Sequence, residues 1–398
     1  MATTAFHDKR ADLRCDIFCN VIDNFGDIGV CWRLARQLRN EYGVQARLWV
    51  DDLKSFSLLC HEVEARLEFQ RCQDIEVCHW TDASFPTPFS VSPANLVIEA
   101  FSCKLPENYL LSMVRQEPKP VWISLEYLSA ENWVETHHKL PSPHPRFPLV
   151  KYFFFPGFTG KTGGLLLENG LLAKRGAFDR EAFWRTVGEP LTGQDEIRIS
   201  LFCYENPMLS ELLTIWAKGI HKVNCLLPEG RTSAQVAAYL GVPGVRPGDV
   251  FERGNLRMHI QPFVEQEQYD HLLWACDVNF VRGEDSFVRA QWAANPFVWH
   301  IYPQQDGVHI AKLRAFMEKY CAGLPEDASR ALQGLWENWN GEPGSLRDAW
   351  NDFLTCRSML RQHSVLWAGR LAENNLALNL LDFFREIGKM RAFGIEGQ

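Results

Sequence analysis

An α/β fold of two doubly wound domains is predicted for this chain by three observations. Short apolar runs alternate with helical patterns along most of the sequence. The alternation occurs twice, on either side of a polar stretch near 178–196 that carries Gly188, Pro190 and Gly193. The length, 398 residues, exceeds what one hydrophobic core ordinarily organises. Strand–helix alternation implies parallel sheets covered by helices. The strand ends of the two domains are expected to face each other across a cleft.

In the first half, residues 16–22 (Asp16-Ile-Phe-Cys-Asn-Val-Ile22) read as a strand. The next helix carries Val30, Leu34 and Leu38 at four-residue spacing, with Arg33, Arg36 and Arg39 on other faces. Further strands are predicted at 46–50, 95–99, 120–125 and 152–155, the last closed by Pro156-Gly157. The second series predicts strands at 197–204, 222–227, 258–263, 278–281 and 296–302. Helices are predicted at 208–218, 232–240, 266–275, 286–294 and 309–320, and the tail from about 325 is helical in pattern. The expected division is a disordered lead-in over 1–14, a first Rossmann-like domain over 15–180 and a linker over 181–196. A second Rossmann-like domain then covers 197–375, and a C-terminal helix over 376–398 is expected to cross back to the first.

Composition narrows the function. The apolar fraction of 46% is that of a globular protein. A formal net charge of −8 argues against sequence-independent nucleic-acid binding. No run of about 18 apolar residues exists, so no membrane-spanning helix is expected. The polar start lacks the apolar core of a signal peptide. The 12 cysteines are scattered and form no C-x-x-C pair. They read as buried reduced thiols of a cytoplasmic protein.

Two loops carry candidate chemistry. The first is Val21-Ile22-Asp23-Asn24-Phe25-Gly26-Asp27-Ile28-Gly29-Val30, between a strand and a helix. Ligands bind at such loops in α/β sheets, and its two carboxylates suit gripping a cation or removing a proton. The same residues also fit ordinary turn chemistry, with Asp27 as a helix N-cap and Gly26 at positive φ. The second is Phe280-Val281-Arg282-Gly283-Glu284-Asp285-Ser286-Phe287, again strand, loop and helix. Asp285 or Ser286 is expected to cap the helix, whose N-terminus suits a phosphate. Arg282 adds a charged fork for a diphosphate, and Glu284 an acceptor for ribose hydroxyls. The alternative is a capped helix with a surface ion pair. Phe202, Tyr204, Phe263 (after Gln261-Pro262) and Tyr269 sit near predicted strand ends, placed to stack a nucleobase or to fill the core.

Other patterns fail. Gly157-Phe-Thr-Gly160-Lys161-Thr162 ends like a Walker A loop, but its first glycine position is Phe155. No G-x-G-x-x-G follows the first strand. His137, His138 and His144 lack acidic or thiol partners at ligand spacing, so no metal site is expected there.

With both loops in view, the chain resembles the bacterial protein-arginine rhamnosyltransferases (the EarP family). Asp23-Asn-Phe-Gly-Asp27-Ile-Gly-Val-Cys-Trp32-Arg-Leu-Ala-Arg is similar to that family's N-terminal signature, and Arg282-Gly-Glu-Asp-Ser286-Phe to its nucleotide-site signature. Trp122-Ile-Ser-Leu-Glu126-Tyr-Leu-Ser129, Phe155-Pro-Gly-Phe158 and Phe263 with Gln261-Pro262 add to the likeness. The resemblance implies a GT-B glycosyltransferase with two facing Rossmann-like domains. It implies a donor, dTDP-β-L-rhamnose, and an acceptor, an arginine of translation elongation factor P. Transfer to a guanidino nitrogen with inversion, without a metal or other cofactor, is expected. Asp23, Asp27 and Glu284 match acidic positions the family requires. Phe202, Phe263, Arg282, Asp285 and Ser286 match nucleotide-site positions. Tyr204 and Gln261 join them as expected donor-site residues. Asp27 is assigned as general base and Asp23 as its orienting partner, with the reverse assignment open. Competing expectations are another GT-B nucleotide-sugar enzyme, including an epimerase or a lipid or small-molecule transferase, and a non-catalytic nucleotide- or translation-factor-binding protein.

Overall fold

The computed structural model describes residues 13–23, 25–81, 85, 90–189, 196–304 and 307–392. Two compact units emerge: Met1–Asn169 with Asn374–Gln398, and Gly170–Glu373.

The first unit begins with β1 (Arg14–Cys19), α1 (Gly26–Tyr42), β2 (Gln45–Val50), α2 (Leu53–Leu59), β3 (Phe69–Cys72) and β4 (Ile75–His79). It continues through β5 (Leu96–Ala100), α3 (Glu107–Arg115), β6 (Val121–Leu125), α4 (Val134–His137), β7 (Pro141–Pro143) and β8 (Val150–Phe154). The sheet order is β3-β4-β2-β1-β5-β6-β8-β7, and only the hairpin strands β3 and β7 run antiparallel to their neighbours. The chain winds outward from β1 through β2 to β4. It then resumes on the other side of β1 with β5, so the order reverses between β1 and β5. Phe18, Trp49, Val97 and Trp122 pack against Tyr109 and Met113 of α3. Asp16, a charge inside an apolar strand, is fully engaged. Arg47 donates to it through two bonds of 2.6 and 2.7 Å, the Ala94 N–H through one of 3.0 Å, and the Tyr109 hydroxyl through a fourth.

The second unit starts with α5 (Leu171–Gly176) and α6 (Arg180–Thr186), then β9 (Glu196–Leu201), α7 (Leu209–Lys218), β10 (Lys222–Pro228), α8 (Ser233–Leu240), β11 (Val250–Arg253) and β12 (Leu256–Gln261). Next come α9 (Gln266–Ala275), β13 (Val278–Arg282), α10 (Asp285–Ala293), β14 (Phe297–His300), α11 (Val308–Cys321), α12 (Glu326–Trp339), α13 (Leu346–Thr355) and α14 (Arg357–Leu371). Its sheet order is β11-β12-β10-β9-β13-β14, with β11 alone antiparallel. Here the winding reverses between β9 and β13. Phe287 of α10 stacks on Trp299 of β14 at 3.9 Å, and Trp336 of α12 stacks on Phe316 of α11.

The last helix, α15 (Leu376–Ala392), belongs to the first unit. Its N–H at Leu376 bonds to the Leu165 carbonyl at 2.9 Å, Asn379 bonds to the Gly163 carbonyl, and Phe383 meets Tyr152 edge-on. Gly164, at φ +77°, lets the backbones touch: a Cβ there would lie 2.2 Å from the Asn374 carbonyl oxygen.

Several boundaries differ from expectation. The lead-in over 1–14 falls outside the described residues up to residue 12, and Arg14 already opens β1. The expected linker over 181–196 contains part of α6, which packs on the second unit. Trp184 is fully buried, and its indole N–H, like the Arg180 side chain, donates to the Ala275 carbonyl. Residues 190–195 lie outside the described residues. The first strand ends at Cys19, not at Ile22, and the strand expected over 197–204 ends at Leu201. Both early exits build the loops described next.

Candidate active site

Each sequence-predicted loop follows the strand bordering its sheet's reversal point, at the carboxyl edge where open α/β sheets hold ligands. In the first unit, Asp27 lies in the first turn of α1 and is 3% exposed. It does not cap the helix; Phe25 occupies the N-cap. The Asp27 carboxylate instead turns back and accepts the N–H groups of Ile22 (2.8 Å) and Asp23 (2.9 Å). Those bonds take the place of sheet pairing and account for the early end of β1. The Asp23 carbonyl accepts from the Gly26 N–H at 2.7 Å, closing the turn. Gly26 is not at positive φ. Glycine is needed there for close approach, since a Cβ would sit 3.1 Å from the Asp23 Oδ2.

Burial raises the Asp27 pKa above the usual carboxylate value. The two backbone N–H bonds oppose the rise, and the nearby Asp23 and Asp51 charges add to it. Asp51, at the end of β2, accepts the Val21 N–H at 2.8 Å and is itself raised by burial. The sequence reading passed over it, although an acidic residue directly after a buried strand carries the same signal as Asp23. A second unread feature lies across the reversal point. Phe101 and Ser102 follow β5 in consecutive left-handed conformations (φ 54° and 58°), which cost on the order of 1–2 kcal/mol each for such residues. Phe101 stacks on Tyr127 at 4.8 Å, and the Ser102 hydroxyl donates to Glu126.

In the second unit, Arg282 ends β13 and is 9% exposed. Its guanidinium lies over the rings of Phe202 (4.4 Å) and Tyr204 (4.8 Å), which follow β9. Among the described residues it forms no ion pair. Gly283 turns the chain at φ 60°. The expected caps are corrected: Glu284 is the N-cap residue of α10, and no side-chain bond closes the cap. Ser286 Oγ instead accepts the Arg282 N–H at 3.0 Å and donates to the Arg282 carbonyl. Asp285 accepts from Gln266 at 3.2 Å. Tyr269 packs edge-on against Phe202 at 5.5 Å. Buried Arg289 and Asp270 clamp α10 to α9 with bonds of 2.7 and 2.6 Å.

Arg282, Phe202, Tyr204, Tyr269 and Ser286 thus form one cluster. Gln261 ends β12, two places from β9 in the sheet, and Phe263 follows it. The Phe263 N–H donates to Glu229 at 3.3 Å. His137, His138 and His144 stitch loops through their Nδ1 atoms, bonding Trp133, Phe155 and Phe147 backbone groups respectively. Among the described residues, no three His, Cys, Asp or Glu side chains are grouped to hold a metal ion.

Comparison with known proteins places the chain in a family. Residues 15–385 match the family model of the elongation factor P (EF-P) rhamnosyltransferase EarP. A protein-arginine rhamnosyltransferase of Pseudomonas putida is 47% identical over 376 residues, covering 93% of this chain and 98% of that one. A solved chain described as "Structural basis for EarP-mediated arginine glycosylation of translation elongation factor EF-P" is 36% identical, with a TM-score of 0.65, covering 94% of this chain and 99% of that one. A glycosyltransferase from Rickettsia africae, 10% identical with a TM-score of 0.53 and coverage of 95% and 99%, shares the fold alone. The architecture is that of GT-B glycosyltransferases, and the chain belongs to the EarP family of protein-arginine rhamnosyltransferases.

Proposed function

We propose that this enzyme transfers L-rhamnose from dTDP-β-L-rhamnose to a guanidino nitrogen of an arginine of elongation factor P, with inversion. The relatives' activity supplies the chemistry, and one observation carries its assignment to residues. Arg282 is a nine-tenths buried guanidinium with no ion pair among the described residues, held by aromatic faces beside the uncapped α10 terminus. A buried unpaired charge is costly, and a bound diphosphate supplies the missing anion. Phe202, Tyr204, Gln261, Phe263, Glu284, Asp285 and Ser286 complete the donor side in this reading.

The acceptor side is the opposite case, a carboxylate pair that suits a guanidinium. Arginine is a poor nucleophile because its charge is delocalised and its pKa exceeds about 12. Asp23 orients the guanidinium and Asp27 localises the lone pair of one nitrogen. That nitrogen attacks the anomeric carbon from the face opposite the diphosphate. The carbon–oxygen bond breaks, its electron pair leaves with dTDP, and the proton displaced from nitrogen passes to Asp27. Burial raises the Asp27 pKa, which suits that carboxylate to accept the proton. Arg282 and the N–H groups of α10 offset the charge growing on the diphosphate, so this reading calls for no metal or other cofactor. Glu284, the α10 N-cap, is the third required acid.

Intact-mass analysis of elongation factor P after incubation with enzyme and dTDP-β-L-rhamnose tests the proposal. A gain of one deoxyhexose mapped to arginine is expected. Donor consumption without that gain points to an epimerase or hydrolase and contradicts it.

A further inference from the structure

His300 ends β14, in register with Arg282 on the neighbouring strand. It is 5% exposed, and its Nδ1 is enclosed without a hydrogen-bond partner. Its ring packs edge-on against Tyr204 at 5.4 Å, the same Tyr204 that lies under the Arg282 guanidinium, and against Trp339 at 5.7 Å. The groups facing it are therefore Arg282 from β13, Tyr204 after β9, Trp339 from α12 and His309 from α11. None is acidic. Burial, Arg282 and His309 push the His300 pKa down to about 4, so the imidazole is neutral while Arg282 stands unpaired.

We propose that donor binding is proton-linked through His300: the imidazole takes up a proton when a nucleotide diphosphate settles on Arg282. The inference rests on the reading of the second unit as the donor site. The diphosphate brings two negative charges to the group that now disfavours an imidazolium. With Arg282 neutralised, its share of the downward shift is lifted and the His300 pKa rises, while burial and His309 still hold it below the ordinary value of about 6.5. Donor affinity then rises as pH falls through the bound-state value, by at most about tenfold per pH unit, and levels off near the free-state value. His300 acts here as a positioning residue, seated behind Tyr204 and beside Arg282.

The test is calorimetry of dTDP-β-L-rhamnose binding to the full chain at about pH 6, in two buffers of different ionisation enthalpy. The nucleotide sugar is the right probe because free dTDP has a terminal phosphate that itself titrates near pH 6. Net proton uptake is expected with the wild type and none with His300→Gln. Wild-type affinity is expected to tighten several-fold from about pH 7.5 to pH 5.5, while that of His300→Gln stays flat. Should the glutamine variant fail to fold, His300→Phe keeps the ring packing and serves instead. A purely structural histidine changes affinity without changing proton uptake. Wild-type binding without uptake, or equal uptake in the variants, overturns the inference while leaving the donor site standing. No binding to the wild type overturns the donor-site reading itself.

Discussion

The Asp23–Asp27 loop and the Arg282–Ser286 loop occupy the same place in two sheets of the same winding, yet the charge each buries is opposite, Asp27 in one and Arg282 in the other. Each follows a parallel strand next to the reversal point and opens a helix. In each, the second residue of the helix, Asp27 or Ser286, reaches back to the preceding loop instead of capping. The helix termini differ in what meets their positive end. Neither terminus is closed by a side-chain bond, but in α1 a buried carboxylate sits in the first turn and turns to the preceding loop, leaving an anionic surface for a cation. In α10 a buried cation, Arg282, stands beside the terminus instead, leaving room for an anion. The lesson is that one backbone device serves either partner of a transfer reaction, depending on which charge the protein itself installs.

The largest effect that sharpens this contrast is expected from Asp27→Asn. Transfer to elongation factor P should fall by about 10²–10⁴-fold or more, because proton removal is lost while the variant's amide oxygen can still accept the backbone bonds. In the wild type, burial raises the Asp27 pKa, so the acid limb of the pH–rate profile should lie above the ordinary carboxylate range near 4. Activity should drop as pH falls through that limb, since the base must be ionised. A limb at or below the ordinary range would assign the proton to another group.

Arg289→Ala breaks the contrast from the other side. It leaves Asp270 buried without its partner and should destabilise the second unit by about 3–5 kcal/mol, read by denaturant unfolding. Arg282→Ala should weaken dTDP-rhamnose binding by about 100-fold, as charge-assisted bonds to a diphosphate are lost, with little change in stability. The smallest effect is expected from Gly26→Ala. Its Cβ meets the Asp23 carboxylate at 3.1 Å, so a several-fold loss in transfer with unchanged donor affinity should appear in steady-state kinetics.

Much of this contrast was legible in the residues. Strand–helix alternation located most core elements of both sheets, because parallel strands buried on both faces read as continuous apolar runs. The two loops were visible as polar residues and glycines between a strand and a helix. What was hidden depends on long-range partners. The β3–β4 hairpin is short, and its first strand is largely exposed, so it carries little apolar signal. The caps were misread because Asp27 and Ser286 have suitable cap chemistry but direct it to loop backbone. Asp51 joins the first loop, and His300 the second, only through strand order, which a single sequence does not display. The return of α15 to the first unit was legible as an expectation, whereas the role of Gly164 in permitting it was not.

The division of labour between the loops is tested most directly by titrating dTDP-β-L-rhamnose into Asp27→Asn and Arg282→Ala enzyme by calorimetry. Wild-type donor affinity, within about twofold, is predicted for the first variant and about 100-fold weaker binding for the second. Collapse of donor affinity in Asp27→Asn would place Asp27 in the donor site and contradict this division.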